Sequence, residues 1–69
     1  MQKWEYCEIQ QIMGSYRFHH IQLTDTEENR VVLKDLYSKI AELGREGWEL
    51  VNVAHGEPRM SWYFKRPLP

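Results

Sequence analysis

The stretch from Lys3 to Leu23, KWEYCEIQQIMGSYRFHHIQL, decides the fold. Lys3–Met13 and Tyr16–Leu23 are rich in aromatic and β-branched residues, and Gly14-Ser15 separates them. Such residues favour half-buried, pleated strands. A Gly-Ser loop suits a type II′ turn, because glycine readily takes the positive φ needed at the first central position. The stretch therefore reads as a β-hairpin.

With that turn, Met13 opposes Tyr16, Gln11 opposes Phe18, Ile9 opposes His20 and Cys7 opposes Gln22. On the other side Ile12 opposes Arg17, Gln10 opposes His19, Glu8 opposes Ile21 and Tyr6 opposes Leu23. Side chains alternate with period two, so each set shares one face. Neither face is wholly polar. One is apolar near the turn (Ile9, Met13, Tyr16, Phe18), the other towards the open end (Trp4, Tyr6, Ile21, Leu23). A single helix covers only part of this surface. The spare apolar patch is expected to meet another chain or a ligand, with Ile9, Met13 and Phe18 as candidate interface residues.

Beyond the hairpin, Thr24–Asn29 (TDTEEN) opens a helix. Thr24 with Glu27, or Asp25 with Glu28, has capping-box spacing. Val32, Leu33, Leu36, Ile40 and Leu43 recur at three- and four-residue steps, which predicts one buried helical stripe. Gly44 stands where a left-handed C-terminal residue is expected, with Arg45 near the last carbonyls. Trp48–Ala54 reads as a strand, His55–Pro58 as a turn and Arg59–Arg66 as the last strand. The expected fold is α+β, in the order β-β-α-β-β, with an antiparallel sheet and the helix laid on one face.

Sixty-nine residues make a single domain, 1–69, with a small core that oligomerisation would support. Cys7 is the only cysteine, which excludes an intrachain disulfide and suits a reducing compartment. There is no basic start followed by an apolar run and no apolar stretch of membrane-spanning length, so a cytoplasmic protein is expected. The net charge of −1 argues against binding nucleic acid by phosphate neutralisation.

Three segments together, Lys3-Trp4-Glu5-Tyr6, Leu43-Gly44-Arg45-Glu46-Gly47-Trp48-Glu49-Leu50-Val51 and Tyr63-Phe64-Lys65-Arg66-Pro67, resemble a family of short bacterial and phage proteins, domain of unknown function 4177. The resemblance implies a compact single domain. It carries no established activity and no catalytic residue.

The remaining chemistry is sparse. His19 and His20 are adjacent, so on a strand they point to opposite faces and do not share a metal ion. Cys7 in a central strand reads as a small buried residue rather than a nucleophile. Neither paired catalytic carboxylates nor a phosphate loop is present. No enzyme, metal or cofactor is expected. What stands out is Arg17, His19 and Arg59 near turns, beside Tyr16 and Tyr63, since arginine next to aromatic rings can pair a phosphate and stack a base. The expectation is a non-catalytic homo-oligomer that binds a small anionic, nucleotide-like ligand, in the manner of small phage proteins that sequester such molecules. The alternative is an adaptor that docks a larger protein through a sheet edge or the spare apolar face.

Overall fold

In the computed structural model, which describes residues 1–21, 31–56 and 59–69, the chain runs β1 (Trp4–Ile12), β2 (Ser15–His20), β3 (Val31–Leu33), α1 (Leu36–Arg45), β4 (Glu49–His55) and β5 (Arg59–Pro67). All strands join one antiparallel sheet in the order β3-β2-β1-β5-β4. The fold is α+β, as the sequence predicts, with one strand more than expected. No helix among the described residues is long and apolar enough to cross a membrane.

The β1–β2 hairpin is present, but its turn is displaced by one residue. Met13 and Gly14 occupy the loop, with φ of 51° and 82°, and Ile12 pairs with Ser15. Two positive φ angles make a type I′-like turn, whose twist matches that of the flanking strands. Sliding a two-residue turn by one position moves each partner by two residues. That is an even step, so the two faces keep the composition read from the sequence. The new register sets Ile9 opposite Phe18 and Cys7 opposite His20.

Val31–Leu33 is the second correction. Val32 and Leu33 do not belong to the helical stripe expected of them; with Val31 they form β3, which pairs with Tyr16–Phe18 of β2. Two adjacent β-branched residues favour that state. Leu33 lies opposite Tyr16 and packs against the core, which is why it fits a helical stripe by spacing alone. The helix begins at Leu36, well beyond the Thr24–Asn29 opening expected for it. Asp35 is its N-cap, and its carboxylate accepts hydrogen bonds from the Ser38 backbone N–H at 3.0 Å and the Ser38 hydroxyl. These bonds, the hydroxyl's first, hold the Asp35 carboxyl below its ordinary range. The expected capping pairs at Thr24–Glu27 and Asp25–Glu28 lie outside the described residues, as do Gln22, Leu23 and the Glu57-Pro58 part of the expected turn.

The C-terminus of α1 is closed by Gly47 rather than Gly44. Gly47 has φ of 90°, its N–H bonds Gly44 O at 3.1 Å, and Trp48 N–H bonds Leu43 O at 2.9 Å. This is a Schellman motif, in which the residue after the left-handed glycine commonly packs on the last helical turn. Here that residue is Trp48, and both it and Leu43 are buried. With Cys7 and Ile9 of β1, Phe64 of β5 and Leu36 of α1 they form the core, flanked by Tyr16, Phe18, Leu33, Ile40 and Trp62. Ile9 is wholly enclosed, so it does not serve the interface expected of it. Phe18 is half-buried on the same covered face, beneath the Lys39 ammonium at 4.2 Å. Met13 alone of the three expected interface residues is exposed, at the tip of the hairpin.

Met13 is a non-glycine residue held in the left-handed region, where an L side chain costs about 1–2 kcal/mol and asparagine is better tolerated. Met13→Asn is expected to raise the unfolding free energy by about 1 kcal/mol, read as a shift in the urea midpoint at unchanged slope.

Candidate functional site

β1 is the central strand, and its alternation gives the sheet two unlike surfaces. Cys7 and Ile9 point beneath the helix, while Glu8 and Gln10 point the other way. Among the described residues no helix or strand lies on that second face. Its rows follow from the ladders. Gln10 stands between Arg17 of β2 and Ser61 of β5, and Glu8 between His19 and Tyr63. Further along, Tyr6 neighbours Lys65, and at the other end Ile12 neighbours Arg59. Four of the five expected ligand residues, Arg17, His19, Arg59 and Tyr63, thus share one surface. The fifth does not. Tyr16 is on the helix-covered face, tilted against Trp62 with ring centroids 6.1 Å apart.

The middle of this open face is polar and tightly packed. Glu8, Gln10, His19 and Ser61 are all buried. His19 Nε2 lies 3.3 Å from Glu8 Oε1, and Gln10 Nε2 donates to Glu8 Oε2 at 3.1 Å. Three enclosed atoms around this pair have no hydrogen-bond partner: His19 Nδ1, Gln10 Oε1 and Arg17 Nε. Buried polar atoms are nearly always satisfied in folded proteins, so three together single this place out; His20 Nδ1, on the covered face, is a fourth that stands apart from them. Arg17 also has no carboxylate partner among the described residues. Around this centre stand Trp4, Tyr6 and Ile21, each more than a third exposed, with the Lys65 ammonium 4.3 Å from the Trp4 ring centroid.

The covered face carries a second charged cluster that sequence reasoning missed. Glu5 accepts from Arg66 Nε at 2.8 Å on one carboxylate oxygen, and His20 Nε2 lies 2.8 Å from the other. Arg66 also stacks its guanidinium 4.4 Å from the Trp48 ring centroid and donates Nη1 to the Glu46 carbonyl at 2.9 Å. His20 meets the same ring edge-on at 5.7 Å. The cluster ties the end of α1 to β1, β2 and β5, so its role is to hold the fold together. Cys7 stands directly across from His20, yet the two do not form a nucleophilic pair. Burial pushes the Cys7 thiol up to about 12, and His20 Nε2 is engaged by Glu5.

Comparison with known proteins finds no matching family model, no matching curated protein and no matching solved structure. The site is therefore argued from its own geometry. Glu8 and Gln10 were absent from the expected set, although both alternate with Cys7 and Ile9 in the sequence. That alternation was the available signal. What identifies them as site residues is the pairing of β1 with β5, which joins the two ends of the chain.

Two outcomes follow. Arg66, and after it His20, hold the Glu5 carboxyl below its ordinary range. A depressed carboxylate stabilises the fold fully above its unfolded-state pKa, and that contribution disappears as pH falls through the folded-state value. Glu5→Gln is expected to lower the melting temperature at pH 7 and to flatten its decline on acidification, measured by thermal circular dichroism. The Cys7 thiol is expected to stay unmodified by a disulfide reagent at pH 8 and to react fully in denaturant, measured by thiol titration.

Proposed function

We propose that this protein is a non-catalytic binding module that takes a small anion on the open sheet face, with Arg17 as its main charge partner. The observation that carries this reading is the cation itself. Arg17 stands in a continuous polar band without an acidic partner among the described residues, beside enclosed His19 and Gln10 atoms that lack hydrogen-bond partners. Arginine pairs phosphate and carboxylate oxygens with more than one N–H at once. Tyr63 on the same face offers a ring for a planar group next to the anion, which favours a nucleotide-like ligand. Tyr16 takes no part, because its ring belongs to the covered face.

Assembly with further copies belongs to the same proposal. Trp4, Tyr6 and Ile21 leave apolar surface exposed beside the polar band, where a neighbouring subunit would enclose the ligand. A second reading, docking of a larger protein, is favoured by the outer edge of β4. This strand is seven residues long, unpaired on that side among the described residues, and exposes Leu50 and Val51.

Native mass spectrometry of gently purified protein separates the two. A discrete oligomer with a few hundred daltons of bound mass supports the anion site, and a bare monomer that captures one stoichiometric protein supports the edge. In calorimetric titrations with the recovered ligand or with a nucleoside monophosphate, Arg17→Ala is expected to weaken binding about tenfold to a hundredfold while circular dichroism stays unchanged. Undiminished binding by that variant would remove Arg17 from the site.

A further inference from the structure

The charge balance of the open face carries one more step, which rests on the reading of that face as an anion site. Glu8 is a buried carboxylate at the centre of the band, one strand away from Arg17. His19 and Arg17 are two residues apart on β2, so their side chains rise about 7 Å from one another on the same surface. An anion drawn to Arg17 therefore comes close to the negative charge of Glu8. With a neutral His19, the site holds one cation for two anions. With a protonated His19, the charges match.

The geometry of His19 suits that change. Its Nε2 faces the Glu8 carboxylate at 3.3 Å, where a ring N–H would donate. Its Nδ1 is enclosed and without a partner, so with Nε2 donating to Glu8 it is the nitrogen left to take a second ring proton. Among the described residues, the other charged and titratable groups on this face are Tyr6 on β1, Arg17 on β2, Arg59, Tyr63 and Lys65 on β5, and Glu49 on β4; β3 presents Val32. Lys65 lies on the Trp4 ring and opposite Glu49, so it does not neutralise Glu8. Histidine is the side chain whose charge answers most readily to its neighbours, and here the neighbours are a carboxylate and an arriving anion.

We propose that the site takes up a proton on His19 as it takes an anion at Arg17, so that binding tightens as the solution becomes more acidic from about pH 8 to pH 6. His19 acts here as the sensor of the site, and Glu8 is what makes the proton necessary. Ligands of fixed negative charge, such as phosphodiesters and sulfate, show the effect most simply because they do not titrate themselves.

The test is calorimetric titration with 3′,5′-cyclic AMP and with sulfate, in buffers of different ionisation heat. For the wild-type protein, uptake of about one proton per anion is expected above neutral pH, with affinity rising up to about tenfold per pH unit of acidification. His19→Gln is expected to bind without proton uptake and with an affinity independent of pH. Glu8→Gln separates this from a loss of fold, since it should bind more tightly than wild type at pH 8 and also take up no proton. Wild-type binding without proton uptake would overturn the coupling while leaving the anion site intact. Failure of the wild type to bind either anion at every pH would overturn the site itself, and the coupling with it.

Discussion

The pleat of β1 is the constraint on which the rest of the protein depends. A strand turns successive side chains to opposite sides, and β1 lies in the middle of the sheet, where both sides matter. Its residues at positions 7 and 9 close the core, and those at positions 8 and 10 make the centre of the opposite surface. Neither job can be altered by slipping the strand. A one-residue slip would bury Glu8 and Gln10 under the helix and expose Cys7 and Ile9. The same alternation that builds the hydrophobic core therefore presents a carboxylate and an amide side by side on the outer face.

The helix is fastened at its end rather than along its length. Leu36, Ile40 and Leu43 supply its apolar stripe, but the Schellman turn at Gly47 brings Trp48 back over Leu43. Arg66 and His20 then grip the indole from two sides, and Glu5 holds both of them. A short chain buries little surface, so a ring held by packing, by a cation and by a shared carboxylate makes much of one residue.

Much of this was legible in the residues themselves. The hairpin from Lys3 to Leu23 shows both of its faces even with the turn placed one residue late, because face membership depends only on an even or odd step. Arg17, His19, Arg59 and Tyr63 could be singled out for charge and aromaticity, and they do meet on one surface. Tyr16 was already separable from Arg17 and His19, since adjacent residues of a strand face opposite ways, and its charge-bearing neighbours alone drew it into the set. Val32 and Leu33 read as helix because a three-residue strand is too short to show a period of its own. Gly44 and Gly47 both fit a helix end by type, and only the bonds from Trp48 and Gly47 identify the left-handed position. The grouping of Glu5 with Arg66 was out of reach for a simpler reason: it joins the first strand to the last, and no local pattern records that pairing.

That pairing also governs how the chain reaches its shape. During synthesis the β1–β2 hairpin emerges with one side of β1 still bare, and its neighbour β5 follows only after β3, α1 and β4. The ladder that completes both the core and the outer polar band thus closes only after the chain between β1 and β5 has been gathered in, and that entropy is lost before most contacts form. The nascent protein spends its early life as an unfinished ribbon with an adhesive margin along β1. The neighbour that finally covers this margin is the same strand that supplies Arg66 to the indole and Ser61 and Tyr63 to the outer face, so the core and the polar band are completed in a single late event.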